Sequence, residues 1–422
     1  MTGYGIMIEL FMRKIVFLFV CFSLQGEDLH WPNWLGPNHD GTTDSFALLD
    51  PPDGKDYSLA WTTKVGRGWA SPVCNENTLV LHERDGENES LRAMDPLTGK
   101  LKWRFSYTSG YRDSFGMEDG PRSTPAISNG LVISHGPQGL VHAVSIKDGA
   151  LQWKVDLAEK FSSPKGFFGR CSSPLVIDDK VVFDAGGPNA GMIAFELKTG
   201  KLAWSSTSYG NDYSSSVPFE SRSGQLILSF VREGFLALNA KTGEEIFFER
   251  FRSPISASVN AASPIVIGNR VLLSSCYDVG AGLWNYRANS AGEAPFATLW
   301  KKKEALDCHY SSPVAFGEFA YGFHGRQERA PVLRCISLKD GEVKWEAPTF
   351  GAGNLIRAKD KLIVLSEDGE LIIAEASPIE FRELHRQQIL GTGSRAYFSL
   401  SNDCLFARDQ RRLVCLQLTQ FE

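Results

Sequence analysis

The sequence predicts an all-β chain, an eight-bladed β-propeller of four-stranded antiparallel blades whose last blade is closed by a strand from the N-terminal side. Three observations predict it. A tight turn followed by an aromatic strand recurs along the chain, and a small residue followed by proline recurs once per unit. The strand inventory balances only if the outermost strand of the last unit is supplied from before the first.

The turn-plus-aromatic element runs Leu97-Thr98-Gly99-Lys100-Leu101-Lys102-Trp103, then Lys147-Asp148-Gly149-Ala150-Leu151-Gln152-Trp153. It returns at 198–204, 241–247 and 339–345, ending on Trp204, Phe247 and Trp345. The small-residue-plus-proline element is Ser71-Pro72, Thr124-Pro125, Ser173-Pro174, Val217-Pro218, Ser263-Pro264 and Ser312-Pro313. Differences between successive proline numbers are 53, 49, 44, 46 and 49, the spacing of propeller blades.

Within a unit, apolar alternation separated by turn residues gives strands A to D from the channel outward. In the second unit these are 124–127, 131–134, 140–145 and 151–155, with Asn129-Gly130 as a hairpin turn between the first two. Two later units lack the proline but keep the pattern, one through 354–356, 361–366 and 371–375, the other through 397–398, 404–408 and 412–418. Eight A-B-C sets result. D strands lie at Trp103, Trp153, Trp204, Phe247, Trp300, Trp345 and around Leu384, one short of eight. Ser58-Leu59-Ala60-Trp61-Thr62 carries the same Leu-x-Trp signature ahead of the first A strand. Placed in the last blade, it joins the ends of the ring and leaves no open edge.

The domain plan is therefore an export signal at 1–26, an irregular extension at 27–56 and the propeller at 57–418, with 57–65 completing the last blade. Arg13-Lys14 followed by the apolar run Ile15–Leu24 has the form of a signal peptide, and the run is too short to span a bilayer. Met12 offers an alternative start. The mature protein is expected in the periplasm or outside the cell, with no transmembrane segment. Net charge is −5 and no basic stripe is present, which argues against a nucleic-acid partner. Seven cysteines follow the signal, none in a metal-type CxxC spacing. They read as small buried strand residues, and Cys404 and Cys415, in neighbouring strands, are the one pair to test as a bridge.

The repeat resembles the pyrroloquinoline-quinone-like propeller repeat, whose blades end Ala-x-Asp-x-x-Thr-Gly-x-x-x-Trp, and Ala93-Met94-Asp95-Pro96-Leu97-Thr98-Gly99-Lys100-Leu101-Lys102-Trp103 matches it throughout. The resemblance extends from Trp31 to about Leu418. It points both to outer-membrane protein assembly factors and to quinoprotein dehydrogenases. Three stretches outside the repeat, 31–38, 119–125 and 321–328, resemble a secreted bacterial subgroup. The quinoprotein likeness implies a quinone held with calcium in the propeller funnel beside a disulfide of adjacent cysteines. This chain has no Cys-Cys dipeptide and no CxxCH haem site, so no cofactor is expected. The repeat glycine suits the turn, and the repeat tryptophan packs between blades.

Propeller topology gathers the D-to-A and B-to-C loops on one face. Entering the A strands there are Arg67, Trp69, Asp119, Arg122, Arg170, Tyr213, Asn260, His309, Tyr310 and Arg395. Ringing the channel mouth, several arginines would suit an anionic or carboxylate-bearing ligand. The same residues could instead bridge blades and cap backbone carbonyls. His82, His135, Asp184 and His324 end B strands, where equivalent positions diverge too far to share an ion, so no metal site is expected. The loops read as short, and no nucleophile elbow, P-loop or HExxH motif occurs. The reading these features favour is an exported, non-catalytic binding or scaffold module for a protein or a small anionic ligand. A quinoprotein-like oxidoreductase and a polysaccharide hydrolase or lyase are the alternatives.

Overall fold

The computed structural model describes residues 30–45, 54–288, 294–348 and 350–421; the expected signal segment and the alternative start at Met12 lie outside them. Eight antiparallel sheets follow one another in chain order as blades 1 to 8: 73–108, 126–156, 175–206, 217–250, 265–302, 314–347, 353–388, and 399–421 with Tyr57–Lys64. In blade 8 the order is Tyr57–Lys64, Arg412–Phe421, Cys404–Arg408, Ser399–Ser401, so the N-terminal strand is its D strand. One short α-helix, Leu157–Phe161, capped by Asp156, is present among the described residues.

The Leu-x-Trp signature has a structural cause. In all eight blades the C-to-D pairing slips by one residue between the two named positions. In blade 1, for instance, Met94 faces Leu101 while Ala93 faces Trp103. Such a bulge turns the next side chain out of the simple alternation. The rotated indole then lies on the following blade. Trp103 Nε1 donates to Ile146 O at 2.8 Å, Trp153 to Leu197 O at 2.8 Å, Trp204 to Ala240 O at 3.1 Å and Trp345 to Ser377 O at 2.8 Å. The repeat glycine is where the ring lands. Gly99 has φ +66°, and a Cβ there would sit 2.7 Å from the Trp61 ring, so the turn and the packing both exclude a side chain. In blade 7 the bulge position is His385 rather than Leu384, and its ring meets Tyr57 edge-on at 5.2 Å.

The small-residue-plus-proline element also works between blades. Ser71 N–H donates to Thr124 Oγ1 (3.0 Å), Thr124 N–H to Ser173 Oγ (3.0 Å) and Ser173 N–H to Ser215 Oγ (2.9 Å). Ser263 N–H donates to Ser312 Oγ (2.9 Å), and Ser312 N–H to the Tyr397 hydroxyl (2.6 Å), which takes the serine's place in blade 8. Each serine or threonine hydroxyl satisfies a buried amide at the start of the preceding blade's A strand, and Tyr397 does so for blade 6, two blades back.

Within the extension at 27–56, residues 30–45 are described, and they pack onto the propeller. Trp31 exchanges backbone hydrogen bonds with Cys74 of blade 1, Pro32 O accepts from Ile127 of blade 2, and Trp34 Nε1 donates to Ser263 Oγ ahead of blade 5. Thr42–Thr43 then adds as a parallel strand to Gly353–Ala358 of blade 7. Residues 31–43 thus cross the A-to-B end of the channel.

Candidate functional site

The face carrying the D-to-A and B-to-C loops holds a cavity of about 460 Å³. Its walls come from D-to-A loops that are longer than the sequence suggests: 109–125, 157–174 and 251–264. The A strands they lead into are only three residues long, so chain counted as strand belongs to loop. From these loops come Phe115, Met117, Phe167, Phe168 and Ile255. Trp34 and Tyr397, edge-to-face at 4.8 Å, lie beneath them.

Of the residues singled out from the sequence, Trp69, Arg122, Tyr213, His309, Tyr310 and Arg395 line this cavity. The guanidinium carbons of Arg122 and Arg395 stand 4.7 and 4.9 Å from the Trp69 ring centre. Arg122 donates to Phe168 O (2.6 Å) and pairs with Asp113 (3.4 Å). Arg395 Nε meets Glu367 at 3.1 Å, and the same carboxylate accepts from the Tyr310 hydroxyl at 2.7 Å. Tyr213 accepts from the Phe167 and Phe168 amides at 2.8 and 3.1 Å, fixing the loop that carries both rings. His309 Nε2 lies 3.1 Å from the Tyr277 hydroxyl, and burial lowers its pKa, holding it neutral.

The other four do not line it. Arg67 is half exposed and pairs with Glu118 (3.3 Å) and Asp119 (3.8 Å). Asp119 also accepts from the Asp113 amide at 2.8 Å. Arg170 is buried against Ser163, donating from Nε to its Oγ at 3.0 Å. Asn260 joins blades 4 and 5, donating to Val231 O (2.9 Å) and accepting from Ser275 Oγ (2.9 Å). Asp119, Arg170 and Asn260 serve as hydrogen-bond partners for nearby backbone, and Arg67 is taken up by side-chain ion pairs.

The three stretches that resemble the secreted subgroup all reach the cavity, through Trp34, Arg122 and the 326–328 loop. Arg326 lies over the Tyr277 ring at 4.9 Å and pairs with Glu328 at 3.3 Å. Cys171 also lines the wall, its thiol pushed up to about 12 by burial.

The B-strand-end residues have separate environments. His82 Nε2 meets the Tyr107 hydroxyl (3.0 Å), and His135 Nδ1 the carbonyl of Ser172 (3.2 Å). Asp184 accepts from the Asp212 amide (3.1 Å), and His324 Nδ1 accepts from Arg334 (2.9 Å). Cys404 lies opposite Gln417 and Cys415 opposite Phe406, a diagonal pair of free thiols joined by a hydrogen bond.

Blades that pass a bulged tryptophan to their neighbour's Gly-turn, closed by a borrowed strand, define a β-propeller of the pyrroloquinoline-quinone-like repeat type. Within that class, the chain belongs to the family described as outer membrane protein assembly factor BamB, whose model matches residues 87–347. It is 26% identical to outer membrane protein assembly factor BamB of Yersinia pestis over 154 residues, 35% of this chain and 36% of the relative. The match therefore spans about a third of that relative's length. The crystal structure of BamB from Moraxella catarrhalis superposes with a TM-score of 0.62 at 14% identity, covering 86% of this chain and 98% of that one. Quinohemoprotein alcohol dehydrogenase ADHIIG from Pseudomonas putida HK5 superposes with a TM-score of 0.60 at 15% identity, covering 92% and 80%. At these identities both likenesses are of fold.

Proposed function

We propose that this chain is an exported, non-catalytic binding module that holds its partner, a protein, on the face bearing the D-to-A loops. The observation that carries the proposal is the cavity mouth, where Phe115 and Phe167 are exposed by 60% and 41% at the rim of an aromatic-walled concavity. Large exposed apolar groups around a recess are characteristic of recognition surfaces. Several polar groups of the wall are already engaged with the protein itself, which favours binding over catalysis. Ser215 Oγ accepts from the Ser173 amide, Tyr310 is tied to Glu367, and the Cys171 thiol is held protonated. A nucleophile activated by a neighbouring base would need a different arrangement. The signal-like N-terminus supports export, and membership of the assembly-factor family supports a protein partner.

The residues present do not fit a calcium-held quinone. Calcium takes six to eight oxygen ligands, commonly carboxylates. The one acidic side chain lining the cavity, Glu328, is paired with Arg326. Among the described residues no three His, Cys, Asp or Glu side chains gather as a metal set.

The test is photo-cross-linking in the native host from p-benzoylphenylalanine placed at Phe167, on the cavity rim, or at Asn129, exposed in the A-to-B turn of blade 2. A discrete protein adduct from Phe167 and none from Asn129 is expected. Equal labelling from both, or no adduct from Phe167, would overturn the assignment of the face.

A further inference from the structure

Blade 7 breaks the pattern that ties the A strands to one another. No small residue precedes a proline at the entry to Gly353–Ala358, so this blade offers no hydroxyl to the Ser312 amide of blade 6. Tyr397 reaches over from the entry to blade 8 instead. Its hydroxyl accepts from Ser312 N–H at 2.6 Å and lies 3.2 Å from Ser311 Oγ. Trp34 packs edge-to-face against the Tyr397 ring at 4.8 Å and donates from Nε1 to Ser263 Oγ at 2.9 Å. Ser263 N–H in turn donates to Ser312 Oγ at 2.9 Å.

These contacts close a circuit that runs from Trp34 to Ser263, Ser312, Tyr397 and back to Trp34. Ser263, Ser312 and Tyr397 end the D-to-A loops entering blades 5, 6 and 8. The same three loops carry Ile255, Val259, His309, Tyr310 and Arg395 of the cavity wall. Trp34 alone comes from the segment ahead of the propeller, and that segment is built to hold it. Leu35 and Gly36 follow it with φ of +58° and +78°, and a Cβ on Gly36 would sit 2.7 Å from the Trp31 indole. A leucine keeps positive φ only where its surroundings enforce it. Gly41 N–H donates to Leu35 O at 2.9 Å, closing the turn. Both ends are fastened, Trp31 to Cys74 and Thr42–Thr43 to the inner strand of blade 7.

From these observations we infer that Trp34 is a positioning residue of the binding face. By holding Ser263 and Tyr397 from beneath, it sets the loops entering blades 5, 6 and 8 as one wall of the cavity. A closed set of packed and hydrogen-bonded groups is the physical means by which such an effect travels. The inference deepens the binding-module reading and rests on its choice of face.

The experiment is hydrogen–deuterium exchange of the full chain, wild type beside Trp34→Ala and Trp34→Phe, read by mass spectrometry in segments 255–264, 303–312 and 391–398. Trp34→Ala should speed exchange in all three by about tenfold or more, with strand Leu140–Ser145 of blade 2 unchanged. Trp34→Phe keeps the ring against Tyr397 and removes the donor to Ser263. It should speed 255–264 by about fivefold, the worth of one hydrogen bond, and leave 391–398 at the wild-type rate. Should Trp34→Ala not fold, Trp34→Phe carries the test. Wild-type rates in 255–264 of a folded variant would overturn the proposal. So would equal acceleration in Leu140–Ser145, which marks a general loss of stability rather than a loosened wall. The Phe167 cross-link should weaken by about fivefold in Trp34→Ala, and an undiminished adduct also overturns the proposal. A wild type that gives no adduct condemns the choice of face, and the exchange pattern still decides the role of Trp34.

Discussion

The indole N–H of Trp61 donates to the carbonyl oxygen of Pro96 at 2.9 Å across the seam where the ring closes. Trp61 belongs to the borrowed strand of blade 8 and Pro96 to the turn before the D strand of blade 1. The contact repeats the one Trp103 makes to Ile146 in the next interval, so the seam is built like the other blade boundaries. Gln387 of blade 7 clasps the beginning of the same strand, donating to Tyr57 O (3.0 Å) and accepting from Tyr57 N–H (2.9 Å).

Trp61→Phe keeps most of the apolar contact and removes one hydrogen bond, and should destabilise the chain by about 1 kcal/mol. Trp61→Ala removes the ring from a half-buried site and should cost about 2 kcal/mol. Trp103→Phe should match Trp61→Phe. Denaturant midpoints measure all three, and a seam variant without effect would contradict closure through this strand.

Ser173→Ala leaves the buried Thr124 amide without its acceptor. An unsatisfied buried donor costs about 1–3 kcal/mol, more than the methyl gained can return. Thermal unfolding of Ser173→Ala beside the exposed control Ser223→Ala should separate the two by several degrees.

The propeller was legible because its repeat is local chemistry, a glycine turn, a slipped register and a tryptophan, printed at regular intervals. The number of blades followed from one strand, at Trp61, that belongs elsewhere in space. The meaning of Ser-Pro was not legible, since each hydroxyl serves an amide some 40 to 50 residues away, as Ser173 serves Thr124. The cavity was legible only in part. Residues entering A strands could be named, but whether each turns inward depends on loop paths set by long-range partners. Arg170 is captured by Ser163 and Asn260 by Val231 O, while Arg122 is held inward by Phe168 O. Phe115, Phe167 and Phe168 carry no period and sit in loops that read as shorter than they are. The three non-repeating stretches pointed to the cavity through Trp34, Arg122 and residues 326–328, and not to these rings.

Acid should destabilise the protein. Burial pushes His82 and His135 down to about 3, and His39 and His142 to about 4. Unfolded histidines titrate near 6.5, so below that pH the unfolded chain binds more protons, and stability falls as pH drops through 6.5 toward 4. Asp212 opposes this. Raised to about 7 by burial, it takes up its proton in the folded state first and partly offsets the loss. Denaturation at pH 7, 6, 5 and 4.5 should show declining stability, with a steeper decline in Asp212→Asn. A flat profile would contradict the buried neutral histidines.

Cys171 should be the first thiol to react with a neutral alkylating agent, since it is only half buried and the other six are buried. Its reaction should be slow at pH 7, because burial holds the thiol protonated. Mass spectrometry of partially labelled protein would reveal the order, and prior labelling of Cys404 or Cys415 would contradict it.

Hydrogen–deuterium exchange of segment 57–64 tests the closed ring most directly. Paired to Arg412–Phe421, it should exchange as slowly as the blade 1 outer strand Leu101–Thr108, and in step with its partner strand. Exchange within seconds, at the rate of an unpaired tail, would contradict a ring closed by this strand.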